Sequence, residues 1–308
     1  MQMSAEEPMT VLKTERAVVA EATVSVASTE PDGRSDPLRG WQSIGRAGGN
    51  GKPSRARLDD LLLGGKDHQV IDRTVAAELK KVAPAIRRSV RARRDFIERA
   101  VQFLARAHQV RDVLVLGAGL PTGPALHGLA QAFQPSVRAV YVDDDPMVLT
   151  HLRARLSCPP PGRIAVVPGH LGQPKELLAA SPVQALLEPG RPVALVVESA
   201  LEFMPDEQDP HGCLAAVLEV LPAGSWVVLA HATADFTPKA WEKVAAVFAR
   251  HRLPIHPRSV EEVAGFLEGL MLSAPGLTTV NRWPRLVDQL TPAEVSRYGA
   301  VGRTLGAR

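Results

Sequence analysis

From Pro53 onward, short apolar runs alternate with stretches that carry apolar residues every three to four positions. The short runs are rich in Val, Leu and Ile and read as strands at 112–116, 137–142, 164–167, 192–198 and 226–231. Helical spacing marks 57–63, 70–81 and 83–107, where Phe96, Ala100, Phe103 and Leu104 share one face. Further helices are expected at 124–133, 146–156, 174–187, 209–221, 238–250 and 260–267. Glycine at 64 and 65 ends the first of these, where a helix stop favours positive φ.

Strand and helix alternate from residue 111, which predicts a parallel sheet with right-handed crossovers and helices on both faces. Two extended runs near 270–273 and 298–303 have no long helix between them and fit a terminal antiparallel hairpin. The chain therefore divides into a tail at 1–52, a helical cap at 53–110 and an α/β domain at 111–308. The tail is rich in Ser, Gly, Pro and charge and buries too little apolar surface to offset ordering entropy. Within it, 18–26 is a weak strand candidate.

Composition narrows the classes. The 308 residues carry a formal net charge of +3, which does not demand nucleic acid as a partner. Arg87, Arg88, Arg91, Arg93 and Arg94 form the one basic excess, read as a solvated helix face or as a contact for a ligand anion. Cys158 and Cys213 lie far apart without ligand spacing, so neither a disulfide framework nor a metal site is expected. No leader pattern or membrane-length apolar run occurs, and a cytoplasmic location is expected.

A parallel sheet of this kind binds ligands at the carboxyl ends of its strands, where strand order reverses. The first strand enters Gly117-Ala118-Gly119, whose missing Cβ atoms allow a ligand close to the backbone. Asp143 follows the second strand, 24 residues after Gly119, at the distance expected of an acid that accepts ribose hydroxyls. Asp144 adjoins it, and Asp145 before Pro146 fits a helix N-cap. The third glycine of a dinucleotide motif is missing at Thr122, and Pro121 removes an amide donor, which leans away from NAD.

Beyond these features, Pro53–Arg57, Leu62–Asp67, Leu116–Thr122, Tyr141–Asp143, Phe203–Asp206, His231–Ala234, Arg258-Ser259 and Tyr298-Gly299 resemble, in order, the S-adenosyl methyltransferase family abundant in actinomycetes. The resemblance implies a class I, Rossmann-like methyltransferase fold, with a mostly parallel seven-stranded sheet, an antiparallel last strand and a helical N-terminal cap. It implies S-adenosylmethionine as cofactor and a small-molecule methyl acceptor, in secondary metabolism, with no membrane partner. Gly117, Ala118 and Gly119 would pass beneath the methionine part and Asp143 would hold the ribose, with Asp144 beside it. Gly65, Lys66 and Asp67 would fold over the pocket, although local physics alone reads that block as a helix C-cap and a surface ion pair. His170 and Leu171 follow the third strand, where the family usually has an Asp beside the adenine amino group, and a neutral imidazole would accept one bond there. Val115 stands where the family usually has an acid, Glu202 where it often has His, and Asp59 and Leu61 where it has aromatics. Glu198, Glu202 and His231, at the ends of the fourth and fifth strands, are the candidate bases. Two rival readings remain: a diverged, non-catalytic member that binds a nucleoside or a protein, and an NAD-dependent oxidoreductase.

Overall fold

The computed structural model describes residues 51–188, 190–284 and 289–305. The expected tail, except Gly51 and Lys52, and the strand candidate at 18–26 lie outside the described residues. Three helices come first. α1 (Arg55–Leu63) starts on Ser54, whose hydroxyl accepts from the Arg57 amide, and stops at Gly64 with φ 95°. α2 (Val70–Val82) is followed by α3 (Ile86–Ala107). α3 starts three residues later than the expected 83 because Pro84 holds Ala83 out of helical geometry, at φ −137° and ψ 82°.

The sheet then builds as expected, through β1 (Asp112–Leu116), α4 (Leu126–Gln131), β2 (Arg138–Asp143), α5 (Pro146–Arg155) and β3 (Arg163–Pro168). The single helix expected at 174–187 is two, α6 (Pro174–Ala179) and α7 (Ser181–Leu186), because Ala180 is extended and Pro182 opens a new turn. β4 (Val193–Val197), α8 (Pro210–Glu219), β5 (Trp226–Ala232), α9 (Pro238–Arg250) and α10 (Val260–Gly265) complete the alternation. The last part contains β6 (Leu270–Leu272), the two-residue β7 (Thr278–Thr279), α11 (Pro292–Val295) and β8 (Arg297–Thr304).

The strand order is β3-β2-β1-β4-β5-β8-β6, with β7 pairing on β8. The first five strands are parallel, and β8 runs antiparallel to both β5 and β6. The sheet thus has eight strands rather than seven. The expected terminal pairing of β6 with β8 is present, but the chain between them makes β7 and α11, so it is not a tight hairpin.

Alternation along each strand divides the core between two faces. Val113, Val115, Ala194, Val196 and Val228 pack with Phe96, Ala100 and Leu104 of α3. Leu114, Leu116, Val193, Leu195, Val197 and Leu229 face the opposite layer, with Leu177, Val183 and Leu214. A third cluster joins α1, α2 and α9 through Leu58, Leu62, Leu79, Trp241 and Phe248, and it fixes the cap over one edge of the sheet.

The entry to the cap depends on one ion pair. Arg57 and Asp72 are fully buried, with Nε–Oδ2 at 2.7 Å. Asp72 also accepts from the amides of Ser54 (3.1 Å) and Gln69 (2.8 Å), so a single carboxylate ties the start of α1 to the start of α2. Asp72→Ala leaves a guanidinium buried without its partner and is expected to lower the unfolding free energy by about 3–5 kcal/mol. Urea unfolding measures this, and a loss under about 1 kcal/mol would show that the pair does not carry the cap.

Candidate functional site

Strand order reverses between β1 and β4, so the loops leaving β1, β2, β3 and β4 open into one crevice. The crevice is a cleft of about 600 Å³ lined by Gly117, Gly119, Asp143, Asp144, His170, Leu171, Ser199 and Ala200, with Ser54, Arg55, Ala56 and Asp59 of the cap on its other side. Six of the ten residues expected to bind a cofactor lie in this lining.

Its floor is a glycine loop. Gly117 and Gly119 have φ of 70° and 66°. A Cβ on Gly117 would meet the Glu198 carbonyl at 2.3 Å, whereas one on Gly119 would project into open space. The amides of Gly117 and Ala118 both donate to the Val142 carbonyl at 3.0 Å, and the Gly119 amide donates to Asp143 Oδ2 at 2.9 Å. Three consecutive donors are therefore used inside the protein, and none is left to cradle a diphosphate. Ala118 itself faces a separate recess behind the loop, with Val115, Arg94 and Glu198.

Asp143 is buried at the end of β2 and accepts from Gly119 and from the Asp145 amide (3.0 Å). Burial pushes its carboxyl up to about 6, against the pull of those two amides. Asp145 caps α5 by accepting from Met147 at 2.8 Å, and Asp144 pairs with Arg55 at 3.2 Å, so the three consecutive acids have three different partners.

His170 departs from expectation. Its Nδ1 accepts from the Gly172 amide at 2.9 Å, and burial lowers the ring's pKa, so the imidazole is neutral with its proton on Nε2. The ring presents a donor to its surroundings, not the acceptor the sequence suggested.

The block at 65–67 does not reach the cleft. A Cβ on Gly65 would collide with the Asp60 carboxylate, and the Asp67 amide donates to Asp60 Oδ2 at 2.8 Å. Lys66 is exposed, while the Asp67 carboxylate pairs with Arg155 and lies 3.6 Å from His151 on α5. Asp60 also accepts from the Thr122 hydroxyl at 2.7 Å, tying α1 to the glycine loop. The block is a helix C-cap with a surface ion pair.

None of the three expected bases lines the cleft. Glu202 is buried and accepts from Arg297 (2.5 Å), Arg93 (3.5 Å) and the Ala232 amide (3.1 Å). Burial would raise its pKa, but Arg297 and Arg93 hold it down to about 2. His231 donates from Nδ1 to the Ala232 carbonyl (2.8 Å), and its Nε2 accepts from Arg258 (3.1 Å). Burial lowers its pKa to about 4, so it is neutral with both nitrogens used. Glu198 is raised by burial against Arg94 and Arg93, and its Oε2 lies 3.6 Å from Arg94.

Sequence reasoning missed the cap's share of the site. Arg55 and Asp59 sit four apart on α1, a spacing that places them on one face. Arg93, read there as part of a solvated helix face or of a contact for a ligand anion, is buried and pairs with Asp59 at 2.8 Å. Ser199 is the other omission. It holds φ 52° just after β4, and its hydroxyl contacts Arg93 and Asp59.

The S-adenosyl methyltransferase family profile matches residues 47–305. The chain belongs to that family. A DUF574 family protein of Streptomyces avermitilis is 36% identical, with 82% of this chain and 98% of that one aligned and a TM-score of 0.79. A methyltransferase candidate of Thermobifida fusca is 30% identical over 88% of this chain and 99% of its own, with a TM-score of 0.77. A search of curated proteins gives no match. The fold is that of class I methyltransferases, and the family's cofactor is S-adenosylmethionine. Among the described residues, no helix is long and apolar enough to cross a membrane.

The donor on His170 predicts a mismatch with an adenine amino group. His170→Asp restores an acceptor, and an Asp can still take the Gly172 amide in an Asx turn. The variant is expected to bind S-adenosylhomocysteine about tenfold more tightly than wild type by calorimetry. Equal or weaker binding would show that His170 does not face the amino group.

His231 predicts a pH effect on stability. Its folded pKa lies below the ordinary value of about 6.5, so its contribution is present above that pH and is lost as pH falls towards about 4. His231→Asn is expected to remove that part of the decline, and unfolding curves for both proteins at pH 7, 5.5 and 4.5 measure the difference.

Proposed function

We propose that the chain is an active S-adenosylmethionine-dependent methyltransferase for a small-molecule acceptor, with the cofactor in the Gly117–Asp143 cleft. One observation carries the reading. Asp143 stands at the mouth of the reversed strand order, with a glycine beside it whose missing Cβ leaves open space. The residues fit a nucleoside without a diphosphate better than one with it, since the loop amides are already engaged. This counts against NAD.

Bound S-adenosylmethionine supplies an electrophilic methyl group on a sulfonium. Asp143 accepts from the ribose hydroxyls, Leu171 and His170 bound the base, and Gly119 gives the methionine part its passage. Arg55, held by Asp144, forms the lip of the cleft. Glu198 stands behind the loop with Arg93 and Arg94, where it sets the local charge and is not positioned as a base for the cleft. Glu202 and His231 hold the wall. With none of these three facing the cleft as a base, rate comes from holding two reactants in line. A ligand-binding member without turnover is the competing reading, and Val115 together with the donor on His170 favours it.

Calorimetry with S-adenosylhomocysteine, S-adenosylmethionine and NAD is the test. Both methionine-derived ligands are expected to bind and NAD is not. Asp143→Ala is expected to weaken binding by at least about tenfold. Ribose hydroxyls bond better to the ionised carboxylate, so affinity should fall as pH drops below about 6. Unchanged affinity in Asp143→Ala would remove that residue from the pocket, and absence of heat with both methionine-derived ligands would end the cofactor reading.

A further inference from the structure

Positions 55 and 59 stand about one turn apart on the same face of α1, and through them the cap brings opposite charges to the cleft. Both keep access to solvent: the Arg55 side chain is 32% accessible and that of Asp59 28%. They serve different parts of the crevice. Arg55 reaches over its mouth, with Nη2 3.2 Å from Asp144, just past β2, and its guanidinium 5.2 Å over the ring of Phe203, past β4. Asp59 is set on the β4 side, where the Ser199 hydroxyl contacts it at 3.5 Å.

Each charge has capacity left. Arg93 and Ser199 both meet Asp59 on Oδ2, which leaves Oδ1 for a further donor. Arg93 also lies 3.5 Å from the ionised Glu202, so its charge is divided between two carboxylates. Arg55 spends one nitrogen on Asp144 and keeps the rest of its planar fork. The remaining lining cannot replace them. The amides of Gly117, Ala118 and Gly119 are used inside the protein, so a ligand carboxylate finds no donor on that loop. Among the described residues that line the cleft, Arg55 is the only cation, His170 being neutral. Asp143 and Asp144 lie past β2 with partners of their own, so a ligand ammonium that passes the glycine loop towards β4 meets Asp59.

We infer that Arg55 and Asp59 form a clamp for the zwitterionic amino-acid end of the cofactor, with its carboxylate on Arg55 and its ammonium on Asp59. The cap, and not the glycine loop, then supplies the charges that tell the whole cofactor from a plain adenosine thioether. The clamp rests on the cofactor reading, since it takes the adenosine to lie at Asp143.

Calorimetry on the full chain with truncated ligands tests the clamp. S-Adenosylhomocysteine carries both charges, S-adenosyl-3-thiopropylamine lacks the carboxylate, and 5′-methylthioadenosine lacks both. Wild type is expected to bind S-adenosylhomocysteine at least about tenfold more tightly than methylthioadenosine. Asp59→Asn, which can still accept from Arg93, should weaken S-adenosylhomocysteine and the thiopropylamine by about tenfold each. Arg55→Gln, which can still donate to Asp144, should weaken S-adenosylhomocysteine by about tenfold and leave the thiopropylamine within about twofold. Methylthioadenosine should stay within about twofold in both variants. The inference falls if either variant binds S-adenosylhomocysteine as wild type does, or weakens methylthioadenosine as much, which marks a structural role. Circular dichroism shows whether a variant folds, and the wild-type comparison, which needs no substitution, decides if one does not. Methylthioadenosine bound by wild type as tightly as S-adenosylhomocysteine would end the clamp and leave the adenosine site standing. No heat with either of these two would end the cofactor reading itself.

Discussion

A carboxylate removed from water must be surrounded by donors or give up its charge, and Glu202 meets that demand with donors from three other regions of the chain. Arg93 comes from the cap, Arg297 from the first residue of β8, and the Ala232 amide from the last residue of β5. Glu202 itself lies in the turn after β4, three residues past Ser199 at the cleft. Arg93 then spans to Asp59, which lines the cleft from the cap side. The relative position of cap and sheet, and with it the width of the cleft, thus depends on the desolvation of one acid. A loosely packed apolar contact at this position would allow sliding, but a buried three-way charge contact does not.

Much of the architecture was legible in the sequence because the rules that set it are local. The short Val- and Leu-rich runs placed β1 and β4, Gly64 fixed the end of α1, and Asp145-Pro146 the start of α5. The misplaced helix bounds were also local in origin, at Pro84 and Pro182, where proline interrupts a pattern that apolar spacing alone would continue. Half of the cleft was legible too. Gly117, Gly119 and Asp143 obey a spacing set by one βαβ unit, so the sheet brings them together wherever the rest of the chain goes.

The cap's contribution was illegible for a different reason. Arg55 and Asp59 reach the cleft only once α1 docks on the sheet, and that docking depends on the Arg93 contacts and on the third apolar cluster. Arg93 shows the same limit. A run of five arginines reads as a solvated face until tertiary packing buries one of them among acids far away in sequence. The Gly65–Asp67 block shows the converse. Its wording suggested a ligand contact, but its Asp67 amide binds Asp60, and it is Asp60 that reaches the Thr122 hydroxyl beside the glycine loop.

Val115 looked like a defect in a cofactor site, and its surroundings give it another meaning. Its side chain lies on the face of β1 packed by α3, where an acid would be buried among Phe96, Ala100 and their neighbours. On that side of the loop the carboxylate comes instead from Glu198, whose amide donates to Leu116 across the β1–β4 pair, with Arg94 as its neighbour. Val115, Glu198 and Arg94 border the same recess. The carboxyl that the strand lacks at 115 is thus present on Glu198, at the end of the next strand, where burial raises its pKa against the pull of Arg94. A valine at this position is therefore weaker evidence against a working site than it is when the sequence is read alone, and the donor on His170 is left as the sharper departure.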